Sequence, residues 1–282
     1  MAAPSEARLT RKVGSRLLSA TSSTKTAGSP GTVYLVGAGP GAADLLTVRA
    51  ARLLERADIV LHDALVQPEV LALAPQARLV PVGKRCGRLS TAQHFINKQL
   101  VDAAQHHSCV VRLKGGDPML FGRAQEEISA LMAAGVPVEI VPGVSAAFAA
   151  SAAIGQSLSL RGVSRSVAFL TPAVGQGETP HSWAGAAVAA DTAVLYMAGR
   201  QAKDISDGLM AAGVPASRPV VLVESASLPG QRMVPTSVGA LPQAAAALGD
   251  GPCLILVGEV YAGLVDLAID ADEATVARMA VG

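Results

Sequence analysis

The sequence predicts an α/β protein built from two domains. Three observations carry that prediction. From Thr32 onward, short continuous apolar runs alternate with helical stretches, and each run in the first half ends at a turn containing glycine or a polar pair. Such unbroken apolar runs are strands covered on both faces of a sheet. The second half changes to closely spaced strands with a Pro229-Gly230 turn, the mark of antiparallel pairing. The length of 282 residues, half of them hydrophobic, is enough for two cores of ordinary size.

The elements can be justified in order. Val33–Val36 is a strand that ends at Gly37-Ala38-Gly39-Pro40-Gly41, with Asp44 as the expected N-cap of a helix over Leu45–Arg56. Ile59–Leu61 ends at His62-Asp63, and Arg78–Val82 ends at Gly83-Lys84-Arg85. An amphipathic helix from about Thr91 to His106 leads to Val110–Leu113, then to Lys114-Gly115-Gly116-Asp117-Pro118 and a helix through about Ala134. Val138–Val141 ends at Pro142-Gly143, before a small-residue helix. In the second half, strands are expected at Ser166–Leu170, Ala193–Met197, Val220–Glu224, Arg232–Val238 and Cys253–Val257. Helices are expected near Ala202–Ala212 and Leu241–Leu248. Trp183 is expected as a local packing anchor, and His106-His107 as surface residues at a helix end. These readings divide the chain into a disordered leader (1–31), an N-terminal α/β domain (32–156), a C-terminal mixed domain (157–265) and a tail (266–282).

Composition narrows the function. Lys+Arg number 23 against 22 Asp+Glu, so no basic excess points to nucleic acid. Aromatic residues make up 3%, which disfavours base stacking as a main binding mode. Cys86, Cys109 and Cys253 are few and scattered, which fits free thiols rather than a disulfide framework or a zinc site. The uncharged stretch 140–160 is broken by Pro142, Gly143 and Gly155, so a strand, turn and helix explain it better than a membrane span. Residues 1–31 are basic, rich in serine and poor in acids. A bacterial leader on a cytoplasmic protein is the expectation, with organelle targeting as the alternative.

In open α/β sheets, ligands sit beyond the carboxyl ends of the strands, so the glycine loops are the expected site. Gly37-x-Gly39-x-x-Ala42 fits a relaxed dinucleotide fingerprint, which keeps a nicotinamide oxidoreductase open as an alternative. Pro40 removes a backbone donor there, and Asp63 lies further on than the usual roughly 20 residues. At Gly115 and Gly116 main chain can approach a ligand closely, and Val141-Pro142-Gly143-Val144-Ser145-Ala146 opens a helix with small residues and free N–H groups.

Taken together, these segments resemble the uroporphyrinogen-III C-methyltransferases of the tetrapyrrole methylase superfamily. The resemblance rests on Val36–Gly41, His62-Asp63-Ala64-Leu65-Val66, Gly83-Lys84-Arg85 and Lys114–Pro118. Phe121-Gly122-Arg123 with Glu126-Glu127, and Val141–Ala146, continue the series. It implies two α/β domains of the tetrapyrrole methylase type with the active site in the cleft between them. It also implies a homodimer, S-adenosylmethionine as methyl donor, S-adenosylhomocysteine as product and no metal. The implied reaction methylates C2 and C7 of uroporphyrinogen III, giving precorrin-2 for sirohaem and cobalamin synthesis. A later precorrin methyltransferase, or a donor-binding scaffold without turnover, remain the alternatives.

The resemblance also implies roles for individual residues. Pro40, Gly115, Gly116, Asp117, Leu120, Ser145, Ala146, Met197 and Ala226 match donor contacts. Asp63 matches the catalytic base and Lys84 its acid partner. A polycarboxylate substrate on a nearly neutral chain calls for a local basic cluster, for which Arg85, Lys114, Arg123, Arg161 and Arg165 are the candidates. The chain departs from the family pattern at Leu160 and Ala173, where relatives often carry histidines.

Overall fold

A computed structural model describes residues 29–82, 90–173 and 182–268, with side chains in the second stretch from Gln93 onward. Residues 1–28 of the leader, the Gly83-Lys84-Arg85 segment and the tail beyond 268 lie outside the described residues.

The first sheet contains β1 (Thr32–Gly37), β2 (Ile59–His62), β3 (Arg78–Pro81), β4 (Cys109–Lys114) and β5 (Val138–Val141), in the order β3-β2-β4-β1-β5. Every pairing in it is parallel. The helices are α1 (Val48–Glu55), α2 (Pro68–Leu71), α3 (Ser90–His106) and α4 (Ala124–Ala133). Period-2 alternation distributes the strand residues between two faces. Val33, Leu35, Ile59, Leu61 and Val110 pack with Ile96 and Leu100 of α3 and with Ile128 and Leu131 of α4. Val36, Val60, Val111 and Leu113 pack on the other face with Leu53 and Leu54 of α1 and Val70 of α2. Burial on both faces is why these strands read as unbroken apolar runs.

One cap differs from expectation. Asp44 lies in a short 3₁₀ turn, Ala43–Leu45, and α1 begins only at Val48. Thr47 is its N-cap, and the hydroxyl oxygen accepts from the Ala50 N–H at 3.2 Å. That hydroxyl satisfies a helix N–H which Asp44, one turn too early, does not reach.

The second sheet holds β6 (Val167–Leu170), β7 (Thr192–Leu195), β8 (Pro219–Glu224), β9 (Arg232–Ser237) and β10 (Cys253–Gly258), in the order β6-β7-β10-β8-β9. Only β6 and β7 run parallel; the other pairs are antiparallel, including the expected β8–β9 hairpin. Helices α6 (Trp183–Ala189), α7 (Ala202–Ala211) and α8 (Leu241–Ala246) cover one face. Trp183 packs there beside Gly208.

The other face is covered by α5 (Ala146–Ile154). This helix follows β5 of the first sheet, yet Ala147, Ala149 and Ala150 pack against Val194, Val221, Leu254 and Leu256 of the second. Its alanines let helix and sheet approach closely, so α5 ties the two layers together. Among the described residues, no helix is long and apolar enough to cross a membrane.

Candidate active site

Three backbones meet at the carboxyl end of the first sheet. Gly39 and Gly116 form an antiparallel bridge, with the Gly116 N–H donating to the Gly39 carbonyl at 2.7 Å. A Cβ on Gly37 would lie 2.5 Å from Gly143 Cα and 2.7 Å from the Gly116 oxygen. The loops after β1, β4 and β5 therefore need glycine for close approach. Asp117 clasps them: Oδ2 accepts from the Gly143 N–H at 2.9 Å and Oδ1 from the Met119 N–H at 2.8 Å.

The second sheet completes this end. Ser227 Oγ accepts from the Ala42 N–H at 3.1 Å, and Gly41 lies against Leu228. Ser145, the N-cap of α5, shares a 2.6 Å hydrogen bond with the Tyr196 hydroxyl. Burial raises the Tyr196 hydroxyl above its ordinary pKa, against the opposing bond to Ser145, so it stays protonated. Phe121 packs on Tyr196 with ring centroids 5.1 Å apart, and Phe169 bridges Tyr196 to Phe148. The aromatic residues are few, but half of them gather here.

Backbone strain collects at the same end. Phe121, Arg123, Met197, Ser225 and Ser227 are the non-glycine residues with positive φ among those described, between +52° and +72°. Each such residue costs on the order of 1–3 kcal/mol and persists where the surroundings enforce it. Met197 was expected as a strand residue. Instead β7 stops at Leu195, and the left-handed turn leaves Met197 57% exposed.

The donor-loop candidates Pro40, Gly115, Gly116, Asp117, Leu120, Ser145, Ala146, Met197 and Ala226 all lie on these loops. Asp63 joins them, because the turn carrying it brings Leu65 to within 3.8 Å of a Cβ built on Gly115. A Cβ on Gly116 would meet nothing within 4 Å, so open space lies over that glycine. The Ser145 hydroxyl and both Asp117 oxygens each make one bond to protein, which fixes their positions and leaves acceptor sites for a ligand.

The basic candidates divide. Arg123 stands at the end of the loop after β4 as the N-cap of α4 and forks onto both Glu126 oxygens at 2.6 and 2.7 Å. Lys114 does not reach the surface: it is 3% exposed, and Nζ donates to Glu127 Oε1 at 3.0 Å. Burial lowers its ammonium pKa, Arg112 adds to the effect and Glu127 opposes it. Arg161 and Arg165 lie at the other end of the second sheet. Arg161 sits in a turn closed by Leu160 and Ser164, and Ser164 Oγ bonds Thr192 Oγ1 at 2.8 Å, at the first residue of β7. The Arg165 N–H donates to Asp191 Oδ2 at 2.8 Å. Tyr196 is four residues beyond Thr192, just past the end of β7, roughly 13 Å at strand rise. Lys84 and Arg85 lie outside the described residues.

A buried ionic cluster was not anticipated. Arg112, 2% exposed, donates Nε to Glu127 Oε1 at 3.1 Å and Nη2 to Asp63 Oδ1 at 2.5 Å. Glu127, fully buried, also accepts from Gln93 Nε2 at 3.2 Å. Two patterns could have revealed it. Arg112 and Lys114 share the strand face of Val110, and Glu127 sits on the apolar face of α4 with Ala124, Ile128 and Leu131. A glutamate on that face needs a cation partner.

This arrangement has counterparts. The family described as Tetrapyrrole (Corrin/Porphyrin) Methylases matches residues 32–242, about three quarters of the chain. The chain belongs to the tetrapyrrole methylase family. It is 42% identical over 240 residues to the uroporphyrinogen-III C-methyltransferase of Pseudomonas aeruginosa, covering 85% of this chain and 98% of that protein. It is also 42% identical to a siroheme synthase of Pseudomonas fluorescens, but spans only 53% of that protein's length. Among solved tetrapyrrole methylases, the Thermus thermophilus uroporphyrin-III C-methyltransferase complexed with S-adenyl homocysteine superposes with a TM-score of 0.72. It is 39% identical, and the match covers 82% of this chain and 98% of that one. A cobalt precorrin-4 methyltransferase gives the same TM-score at 31% identity, covering 81% and 95%. A family fold with a glycine-lined end is what the described residues show; among them no cluster of metal-ligating side chains occurs.

Proposed function

We propose that this chain transfers methyl groups from S-adenosylmethionine to C2 and C7 of uroporphyrinogen III, giving precorrin-2 for sirohaem and cobalamin synthesis. The observation that carries the proposal is the 42% identity along nearly the whole Pseudomonas aeruginosa methyltransferase. The gathering of every candidate donor loop at one end of the fold supports it. Family membership, together with Pro40 in the first glycine loop, removes the reason for a nicotinamide reading.

When bound, S-adenosylmethionine supplies an electrophilic methyl group. The residues fit such a ligand, because the space over Gly116 is open and a side chain there would intrude on it. Pro40, Gly115 and Gly116 are assigned to the donor from the first sheet and Met197 and Ala226 from the second, and the Ser145–Tyr196 and Ala42–Ser227 bonds tie the loops of the two sheets together. Methylation leaves a quaternary carbon and a cationic ring, and Asp63 takes on a carboxylate oxygen the proton that the macrocycle loses elsewhere to become neutral. Lys84 is assigned the partner acid, and Arg85 and Arg123 the substrate carboxylates, from the sequence pattern. Lys114, Arg161 and Arg165 are left out of that role because of where they lie. A division near residue 156, a homodimer and a cytoplasmic location complete the proposal.

The test is anaerobic incubation with S-adenosylmethionine and uroporphyrinogen III, followed by mass analysis. A dimethylated product is expected; folded protein that gives none refutes the proposal. Cobalt precorrin-4 methyltransferase resemblance and the residues at Leu160 and Ala173 favour a second reading, a later precorrin methylase. Precorrin-2 offered as acceptor separates the two.

A further inference from the structure

We propose that Arg112 is a positioning residue which holds the Asp63 carboxylate for proton transfer from inside the first sheet. The proposal rests on the reading of Asp63 as the base.

The guanidinium is fixed on every side. Nε donates to Glu127 Oε1, Nη1 to the carbonyls of Leu113 (3.2 Å) and Leu61 (3.5 Å), and Nη2 to Asp63 Oδ1. A planar fork with four acceptors has no room to swing. The position of Nη2 therefore sets where Oδ1 sits and leaves Oδ2 as the oxygen that receives a proton. Asp63 needs such an anchor, since it stands on a turn at the end of β2 with its side chain 30% exposed.

Charge balance points the same way. The cations Arg112 and Lys114 face Glu127 from β4, with the amide of Gln93 on α3 as a neutral third donor. A single buried carboxylate leaves one positive charge over, and Asp63 supplies the missing negative one. A purely structural ion pair would close on Glu127 alone. Here the arginine reaches past it to the one candidate catalytic side chain among the described residues. The neighbouring His62 ring bonds the Asp63 carbonyl through Nδ1 and leaves the carboxylate to Arg112.

The experiment is a double-mutant cycle on turnover. Arg112→Lys keeps a cation for Glu127 but has no fork to span both acids. It is expected to lower kcat at least about tenfold with KM for S-adenosylmethionine and calorimetric S-adenosylhomocysteine affinity unchanged. Asp63→Asn is expected to lower kcat by about 10²–10⁴-fold. If Arg112 acts through Asp63, adding Arg112→Lys to Asp63→Asn lowers kcat no further. Equal fold-losses in both backgrounds, or an unimpaired Arg112→Lys enzyme, overturn the proposal. Should Arg112→Lys not fold, the neutral pair Arg112→Gln/Glu127→Gln enters the same cycle, with the same two outcomes. A wild-type enzyme that yields no methylated tetrapyrrole overturns instead the functional reading on which the proposal stands.

Discussion

Replacing Gly143 by alanine tests whether the junction of three loops forms the donor site. An added Cβ would sit on the Gly116 carbonyl oxygen, 2.8 Å from Gly37 Cα and 3.1 Å from Gly37 C. All of these are backbone atoms, so no side chain can rotate away and the loops must separate. Overpacking of this kind costs about 1–3 kcal/mol. Separation also breaks the bond from the Gly143 N–H to Asp117, and a hydrogen bond to a charged acceptor adds about 1.5–3 kcal/mol. The total is about 2.5–6 kcal/mol, which lowers the melting temperature by roughly 5–24 °C for a chain of this size. Gly116→Ala is the control. Its φ of +66° strains an alanine by about 1–2 kcal/mol, but the new methyl meets no protein atom within 4 Å and enters the open space instead. Melting curves and calorimetric titration with S-adenosylhomocysteine read both variants. Gly143→Ala should lose stability and affinity together, whereas Gly116→Ala should lose affinity out of proportion to stability. A Gly143→Ala protein that melts and binds like wild type refutes the reasoning.

Other predictions concern single interactions. Glu127→Ala leaves Arg112 and Lys114 buried without their shared carboxylate and should cost about 3–5 kcal/mol in denaturant unfolding. Tyr196→Phe removes the bond to Ser145 and should cost about 1 kcal/mol, with no additional loss when Ser145→Ala is combined with it. Asp191 has its pKa lowered by the Arg165 N–H and by both the hydroxyl and the N–H of Ser166. A depressed folded-state value stabilises above the unfolded carboxylate pKa and fades as pH falls through the folded one. Asp191→Asn should therefore melt lower than wild type at about pH 7, with the gap narrowing only as pH falls below the ordinary aspartate value of about 3.9.

The strands of the first sheet and their terminal glycine loops were legible because buried parallel strands leave an unbroken apolar signal. The parity of Val110, Arg112 and Lys114 along β4 was equally present in the sequence. Its consequence was not, since a local period says which face a residue takes and not what that face meets. The same limit applies to Arg161 and Arg165. They stand next to motif segments in the chain, but β6 and β7 place them at the far end of the sheet from Tyr196. Asp44 looked like a cap by residue type, while Thr47 is the cap by geometry.

The sequence by itself determined the fold class, the order of the loops and the residue types that chemistry at those loops requires. It did so because local propensity, burial period and turn chemistry are encoded within a few residues. Only the tertiary structure decided that α5 belongs to the second sheet by packing, and that Arg112, Glu127 and Lys114 form one buried cluster ending at Asp63. The cluster depends on distances between segments 13 to 49 residues apart in the chain, and pairings of that range are fixed by how sheets and helices pack, which no local pattern records.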